Sequence, residues 1–258
     1  MVYQTSELLL HKAPDIYFSG FVFFATICSY SFHWWLTQVD PAMYPSRMEW
    51  LKRNRNIHSL FFFIGLAGAI ICSLCLLDYW IWLLSSAFIT FLYSAPKIPH
   101  PYFRILRRVA LGKTIFLALV WAHVTTIMPL IISNETWKPV FTLFAASRFF
   151  MVYAICILFD YRDREYDTTI GIRSLITSLS EKGITTLFIA SLLFFVVFTV
   201  WMVPLGQTVK TAFLLLAPGV VTAALYYTAR KNFSDFLYYF VLDGLIALPS
   251  LLTLLFGR

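Results

Sequence analysis

The segment Phe159-Asp160-Tyr161-Arg162-Asp163-Arg164-Glu165-Tyr166-Asp167 carries the most chemically informative residues of the chain. Asp160, Asp163 and Asp167 recur at i, i+3 and i+7, which puts three carboxylates on one face if the segment is helical. Three like charges side by side repel one another, and a bound cation removes the repulsion. Hard carboxylate oxygens suit Mg²⁺, which takes one or two carboxylates and completes its shell with water and substrate phosphate. Arg162, Arg164 and Arg173 stand near enough in sequence to hold phosphate oxygens. From spacing alone two outcomes stay open: a metal–phosphate site, or a solvated charged loop with internal Arg–Asp pairs.

The acids follow a long apolar run, and such runs fill the chain. Of its 258 residues 60% are apolar and 13% charged, against about 25% charged in a soluble domain. Mean hydropathy is +0.75. A disordered chain, a coiled coil and a water-soluble globule are excluded, because a soluble fold of this length cannot hide so much apolar surface. Crossing a bilayer takes about 20 apolar residues, and eight runs approach or exceed that length: 15–37, 57–77, 79–95, 104–132, 136–160, 183–203, 208–229 and 233–256. They lack the alternation of a membrane barrel. The expected fold is an all-α polytopic membrane bundle of about eight transmembrane helices, forming one domain over residues 1–258. Met1–Lys12, with its apolar patch Leu8–Leu10, is too short to cross and is expected at the bilayer surface.

Counted by loop, fifteen Lys and Arg fall on one side of these runs and four (Lys12, Lys138, Lys210, Arg258) on the other, with Arg148 inside a run. The positive-inside rule then makes loops 38–56, 96–103 and 161–182 cytoplasmic and both termini external. This accounts for most of the net charge of +7 without a nucleic-acid partner. Cys28, Cys72, Cys75 and Cys156 all lie inside apolar runs. They read as packing residues, the Cys72–Cys75 pair included.

Asp160 to Leu175 reads D-x-x-D-x-x-x-D-x-x-x-G-I-R-S-L, with Gly171, Arg173 and Ser174 as part of the pattern. This resembles the second aspartate-rich motif of the UbiA superfamily of intramembrane prenyltransferases. Leu92-Tyr93-Ser94-Ala95-Pro96-Lys97, the bases Arg107, Arg108 and Lys113, then Trp121 and Pro129, are similar to a second stretch of that family. The resemblance runs from about Phe21 onward. It implies two four-helix bundles plus a first span, and a cavity open to the cytoplasm and sideways to lipid. It also implies Mg²⁺ as cofactor, with transfer of a prenyl group from a prenyl diphosphate or polyprenyl phosphate to an acceptor. Asp160, Asp163 and Asp167 would be the metal ligands and catalytic acids. Lys113 and Arg173 would contact diphosphate, with Arg53, Arg55 and Arg107 as further phosphate-binding cations. Membrane lipid is an implied partner, and the setting would be the bacterial inner membrane.

Two departures from the family pattern stand out. The first motif, N-D-x-x-D, has no counterpart: Ser31 stands at the Asn position, Phe32 and Trp35 at the Asp positions, and Asp40 is out of register. The following loop is basic instead (Arg47, Lys52, Arg53, Arg55), so cations could bind phosphate directly there. The family's first span is missing or shrunk to Met1–Lys12, which would widen the opening to lipid unless a second copy or a partner covers it. These departures keep a non-catalytic isoprenoid- or lipid-binding or assembly role as the alternative. An ion-coupled transporter has the intramembrane Arg148 and Asp243 in its favour, but no broken-helix pair or internal repeat. Both charges count to roughly 15–18 Å from the cytoplasmic end, which predicts a structural Arg148–Asp243 ion pair. His123 is expected as a packing residue, and His33 sits at the mouth beside the missing motif.

Overall fold

The computed structural model describes residues 1–36, 49–50, 53–94, 112–169, 171 and 173–256, with Lys113 described by its backbone. All regular structure among them is helical. The chain divides into two compact units, Met1–Pro14 with Val109–Arg258, and Asp15–Arg108.

The smaller unit holds α2 (Ile16–Leu36), α3 (Arg55–Leu74) and α4 (Trp80–Ser94). The helices α2 and α3 meet along a seam of small residues. A Cβ on Gly65 would lie 2.6 Å from the Cys28 backbone nitrogen and 2.8 Å from the Phe24 carbonyl oxygen. A Cβ on Gly20 would lie 2.9 Å from the Cys72 sulfur, so Cys72 serves packing, and all four cysteines are free thiols. Between apolar helices in lipid, close backbone approach is a main source of attraction. Gly65→Ala is therefore expected to push the helices apart and to cost about 1–3 kcal/mol, read as a lower unfolding temperature in detergent. Unchanged thermal stability would show that the seam is not close-packed.

The larger unit is built around α6 (Pro139–Thr169), flanked by α5 (Lys113–Ala122, continued through a π-helical turn His123–Ile127 to Met128–Ile132), α8 (Glu181–Trp201), α9 (Val209–Lys231) and α10 (a π-helical run Phe236–Leu242 leading into Asp243–Phe256). Proline at its first position suits the start of α6. Every residue from Met151 to Leu158 is buried. A helix buried on all sides sits at the centre of its bundle. The helix then runs on through the charged segment and ends before Gly171, whose positive φ of 74° is a conformation that glycine adopts freely. Short α7 (Leu175–Ser178) follows, capped by Ser174, whose hydroxyl accepts from the Thr177 backbone while Thr177 returns a bond to Ser174.

Among the described residues seven helices are long and apolar enough to cross a membrane: 16–36, 55–74, 114–132, 139–169, 181–205, 209–231 and 236–256. Each answers to an expected run. The remaining expected run, 79–95, holds α4, whose 15 described residues reach the edge of the described segment at Ser94. A 3₁₀ turn at Leu77–Tyr79 separates it from α3.

The N-terminal segment is packed into the bundle. Here α1 (Val2–Thr5, passing into a π-helical stretch Ser6–Leu10) inserts into the larger unit. Gln4, Thr5 and Ser6 are buried. The Thr5 hydroxyl donates to the Thr125 carbonyl at 2.7 Å, and the Gln4 amide donates to the Thr253 hydroxyl at 3.1 Å. Leu8 and Leu9 join a core with Leu130, Phe141, Phe144 and Met202. Lys12 closes the segment with a 2.6 Å ion pair to Glu135, and that contact holds the Glu135 carboxyl below the usual carboxylate range.

Arg148 and Asp243 do not form the expected ion pair. Arg148 is buried, donates to Gln4 Oε1, and lies 5.1 Å from the Phe144 ring centre. Asp243 instead lies one helical turn beyond Tyr239, whose hydroxyl accepts from Arg162 at 3.0 Å. The reason is the length of α6. Because it continues to Thr169, Arg162 lies seven residues from its end, and Asp243 lies seven from the start of the run opening at Phe236. Arg148 is a further 14 residues along α6, or about 20 Å at helical rise.

Candidate functional site

Unbroken helix through the acidic segment does what the spacing requires, and Asp160, Asp163 and Asp167 occupy one face of α6. Their surroundings differ. Asp160 is buried and accepts from the Thr114 hydroxyl of α5. Asp163 is partly exposed, and its Oδ1 accepts from Arg162 Nε at 2.8 Å. Asp167 is buried.

The cations were expected to serve phosphate. Those nearest the acids are engaged with protein groups. Arg162 is buried, and its Nη2 also donates to the Tyr239 hydroxyl at 3.0 Å. Arg164 donates to Glu181 and, at 2.9 Å, to the Leu179 carbonyl. Glu181 accepts from Arg230 as well. Arg173 is exposed just past Gly171. Lys113 opens α5 immediately before Thr114, so its backbone lies one residue from a direct contact of Asp160. In the smaller unit Arg53 and Arg55 are exposed. The Arg55 guanidinium lies 5.2 Å from the ring centre of Trp35, the residue that stands at an expected Asp position. Arg107 falls outside the described residues. His33 stacks on Tyr93 at 5.2 Å.

Among the described residues no three His, Cys, Asp or Glu side chains gather as a metal-binding group. The donor chemistry still fits Mg²⁺. Asp163 and Asp167 are four residues apart on one helix face, and two carboxylates are the usual protein share of a Mg²⁺ shell. Asp160 is committed to Thr114. A hollow of about 410 Å³ lined by Tyr161, Arg162, Arg164, Glu165, Thr168, Glu181 and Phe233 lies on another face of the same helix end, and none of the three acids lines it.

Sequence reasoning missed Thr114, Tyr239 and Asp243 as neighbours of the motif. Thr114 meets Asp160 across 46 positions and Tyr239 meets Arg162 across 77, and no local pattern marks such contacts. The one available signal was the oddity of a carboxylate, Asp243, inside an apolar run.

A family model described as the UbiA prenyltransferase family matches residues 52–235. No curated protein and no solved structure matches the chain.

Proposed function

The chain belongs to the UbiA prenyltransferase family and, with seven apolar helices among the described residues, is an integral multi-pass membrane protein; from that premise we propose that it transfers a prenyl group from a prenyl diphosphate or polyprenyl phosphate. The observation that carries this reading is the continuation of α6 through the motif, which holds three carboxylates on one face at the end of the bundle. Asp163 and Asp167 would ligate Mg²⁺, with Asp160 fixing the geometry through Thr114. When bound, Mg²⁺ would neutralise the diphosphate charge that develops as the prenyl group departs. Lys113 and Arg173 would hold phosphate oxygens, and Arg53, Arg55 and Arg107 would supply the positive charge that a first acidic motif otherwise supplies through metal. At a water-poor membrane site such contacts strengthen as charge develops. The motif end of the bundle would be cytoplasmic, in a bacterial inner membrane, with lipid, a second copy or a partner against the lateral opening.

A non-catalytic isoprenoid-binding or assembly role has specific support too. Asp163 is ion-paired to Arg162, and Ser31, Phe32 and Trp35 replace the first motif. Thermal stability with prenyl diphosphates of several chain lengths, with and without Mg²⁺, separates the two. The transferase reading expects Mg²⁺-dependent stabilisation that Asp163→Asn abolishes. No stabilisation of well-folded wild type by any diphosphate would transfer the assignment to the non-catalytic role.

A further inference from the structure

Arg162 is the most enclosed cation of the motif. Its side chain is 5% exposed. Its guanidinium sits in a box of three rings, 4.6 Å from the centre of Tyr238, 4.9 Å from Tyr239 and 5.4 Å from Phe159. Nε is given to Asp163 and Nη2 to Tyr239, while buried Nη1 has no acceptor among the described residues. A buried, unsatisfied guanidinium nitrogen is uncommon and calls for an account.

Asp243 supplies one. It follows Tyr239 by one helical turn, on the same face of α10. It interacts electrostatically with Arg162 yet makes no hydrogen bond among the described residues. One guanidinium is therefore hydrogen-bonded to one carboxylate, and a second carboxylate lies one turn beyond its Tyr239 partner while a donor stays unspent. A rigid aromatic box suits a planar cation that swings between partners, since stacking on ring faces survives a change of hydrogen bond.

We propose that Arg162 is a shared counter-ion, bonded to Asp163 when no cation is held and handed to Asp243 when Asp163 turns to Mg²⁺. The hand-over rests on the Mg²⁺ reading of the motif, whereas the sharing of one guanidinium by two acids does not. In this role Arg162 and Asp243 are positioning residues. They keep Asp163 neutralised in the empty site, and they keep the guanidinium from remaining as an uncompensated buried charge once Asp163 has left it.

Metal-free protein tests the sharing. Asp163→Asn and Asp243→Asn should each lower the unfolding temperature by only a few degrees, because the other acid takes the guanidinium. The double variant should lose about 10 °C, far more than the sum of the two. Adding Arg162→Met to the double variant should recover most of the loss, or restore folding if the double variant does not fold. Additive single effects, or no recovery with Arg162→Met, would overturn the sharing. The hand-over is read from the Mg²⁺ concentration that half-stabilises the protein with inorganic pyrophosphate. Asp243→Asn should raise it about tenfold, and in an Arg162→Gln background Asp243→Asn should change nothing. An unchanged Mg²⁺ requirement in Asp243→Asn overturns the hand-over. A wild type that ignores Mg²⁺ overturns the metal reading with it, and the metal-free cycle is still decided on its own.

Discussion

Gln4→Leu is expected to cost the larger unit about 3 kcal/mol, the penalty for leaving a buried charged donor without its acceptor. Arg148 stands 21 residues from the end of α6, deep in a helix long enough to cross a membrane. Charges at such depth persist where another group meets them. Here the acceptor is a neutral amide oxygen, Gln4 Oε1, with the Phe144 ring beside the guanidinium. Leucine is close in size to glutamine, so the substitution removes the acceptor while roughly preserving volume. It also removes the amide donor to Thr253, at little cost, because the Thr253 hydroxyl remains bonded to the Pro249 carbonyl at 2.8 Å. The unfolding temperature in detergent should therefore fall sharply in Gln4→Leu and recover in Gln4→Leu with Arg148→Met, where both polar partners are replaced by apolar groups. A Gln4→Leu protein as stable as wild type would mean that α1 is not seated on Arg148.

That interaction also shows where sequence stops being informative. The spanning helices are legible because lipid imposes one strong local requirement: about 20 consecutive apolar residues with every backbone group bonded internally. The face shared by Asp160, Asp163 and Asp167 is legible because helix periodicity is local as well. Gln4 and Thr5 look like surface residues for the converse reason. Their partners, Thr253 and Thr125, are 249 and 120 positions away, and polarity alone says nothing of a distant donor or acceptor. The expected Arg148–Asp243 pair fails on a boundary. Ending the span at residue 160 puts Arg148 level with Asp243, whereas the helix runs nine residues further and brings Arg162 there instead. Charged residues did not stop α6, because the segment contains no glycine, proline or capping residue that competes effectively with the helix before Gly171. The Thr114–Asp160 contact follows from the packing of α5 on α6 and has no signature in either segment.

Asp167→Asn is expected to weaken Mg²⁺-dependent binding of a prenyl diphosphate about 100-fold or more, the order lost when a charged group that stabilises phosphate is neutralised in a water-poor site. Asp167 is buried, so a structural role must be separated from a metal-binding one. Two quantities do this: the unfolding temperature without ligand, and the further rise when Mg²⁺ and diphosphate are added together. A ligand of the metal loses the second while largely keeping the first, because asparagine matches aspartate in size and still offers one oxygen. A carboxylate needed only for packing loses the first, and its residual response to Mg²⁺ and diphosphate stays proportionate. Asp167→Glu sharpens the distinction. It restores the charge one methylene further out, so metal binding should return in part, whereas a packing role should tolerate the longer side chain worse than asparagine. Thr114→Val offers the indirect comparison. Losing the hydroxyl leaves Asp160 without that donor, and if Asp160 acts by fixing geometry, Mg²⁺ binding should weaken by about tenfold, well short of the loss at Asp167. Equal losses in Thr114→Val and Asp167→Asn would mean that the three acids act as one ligand set, with Asp160 on the metal itself.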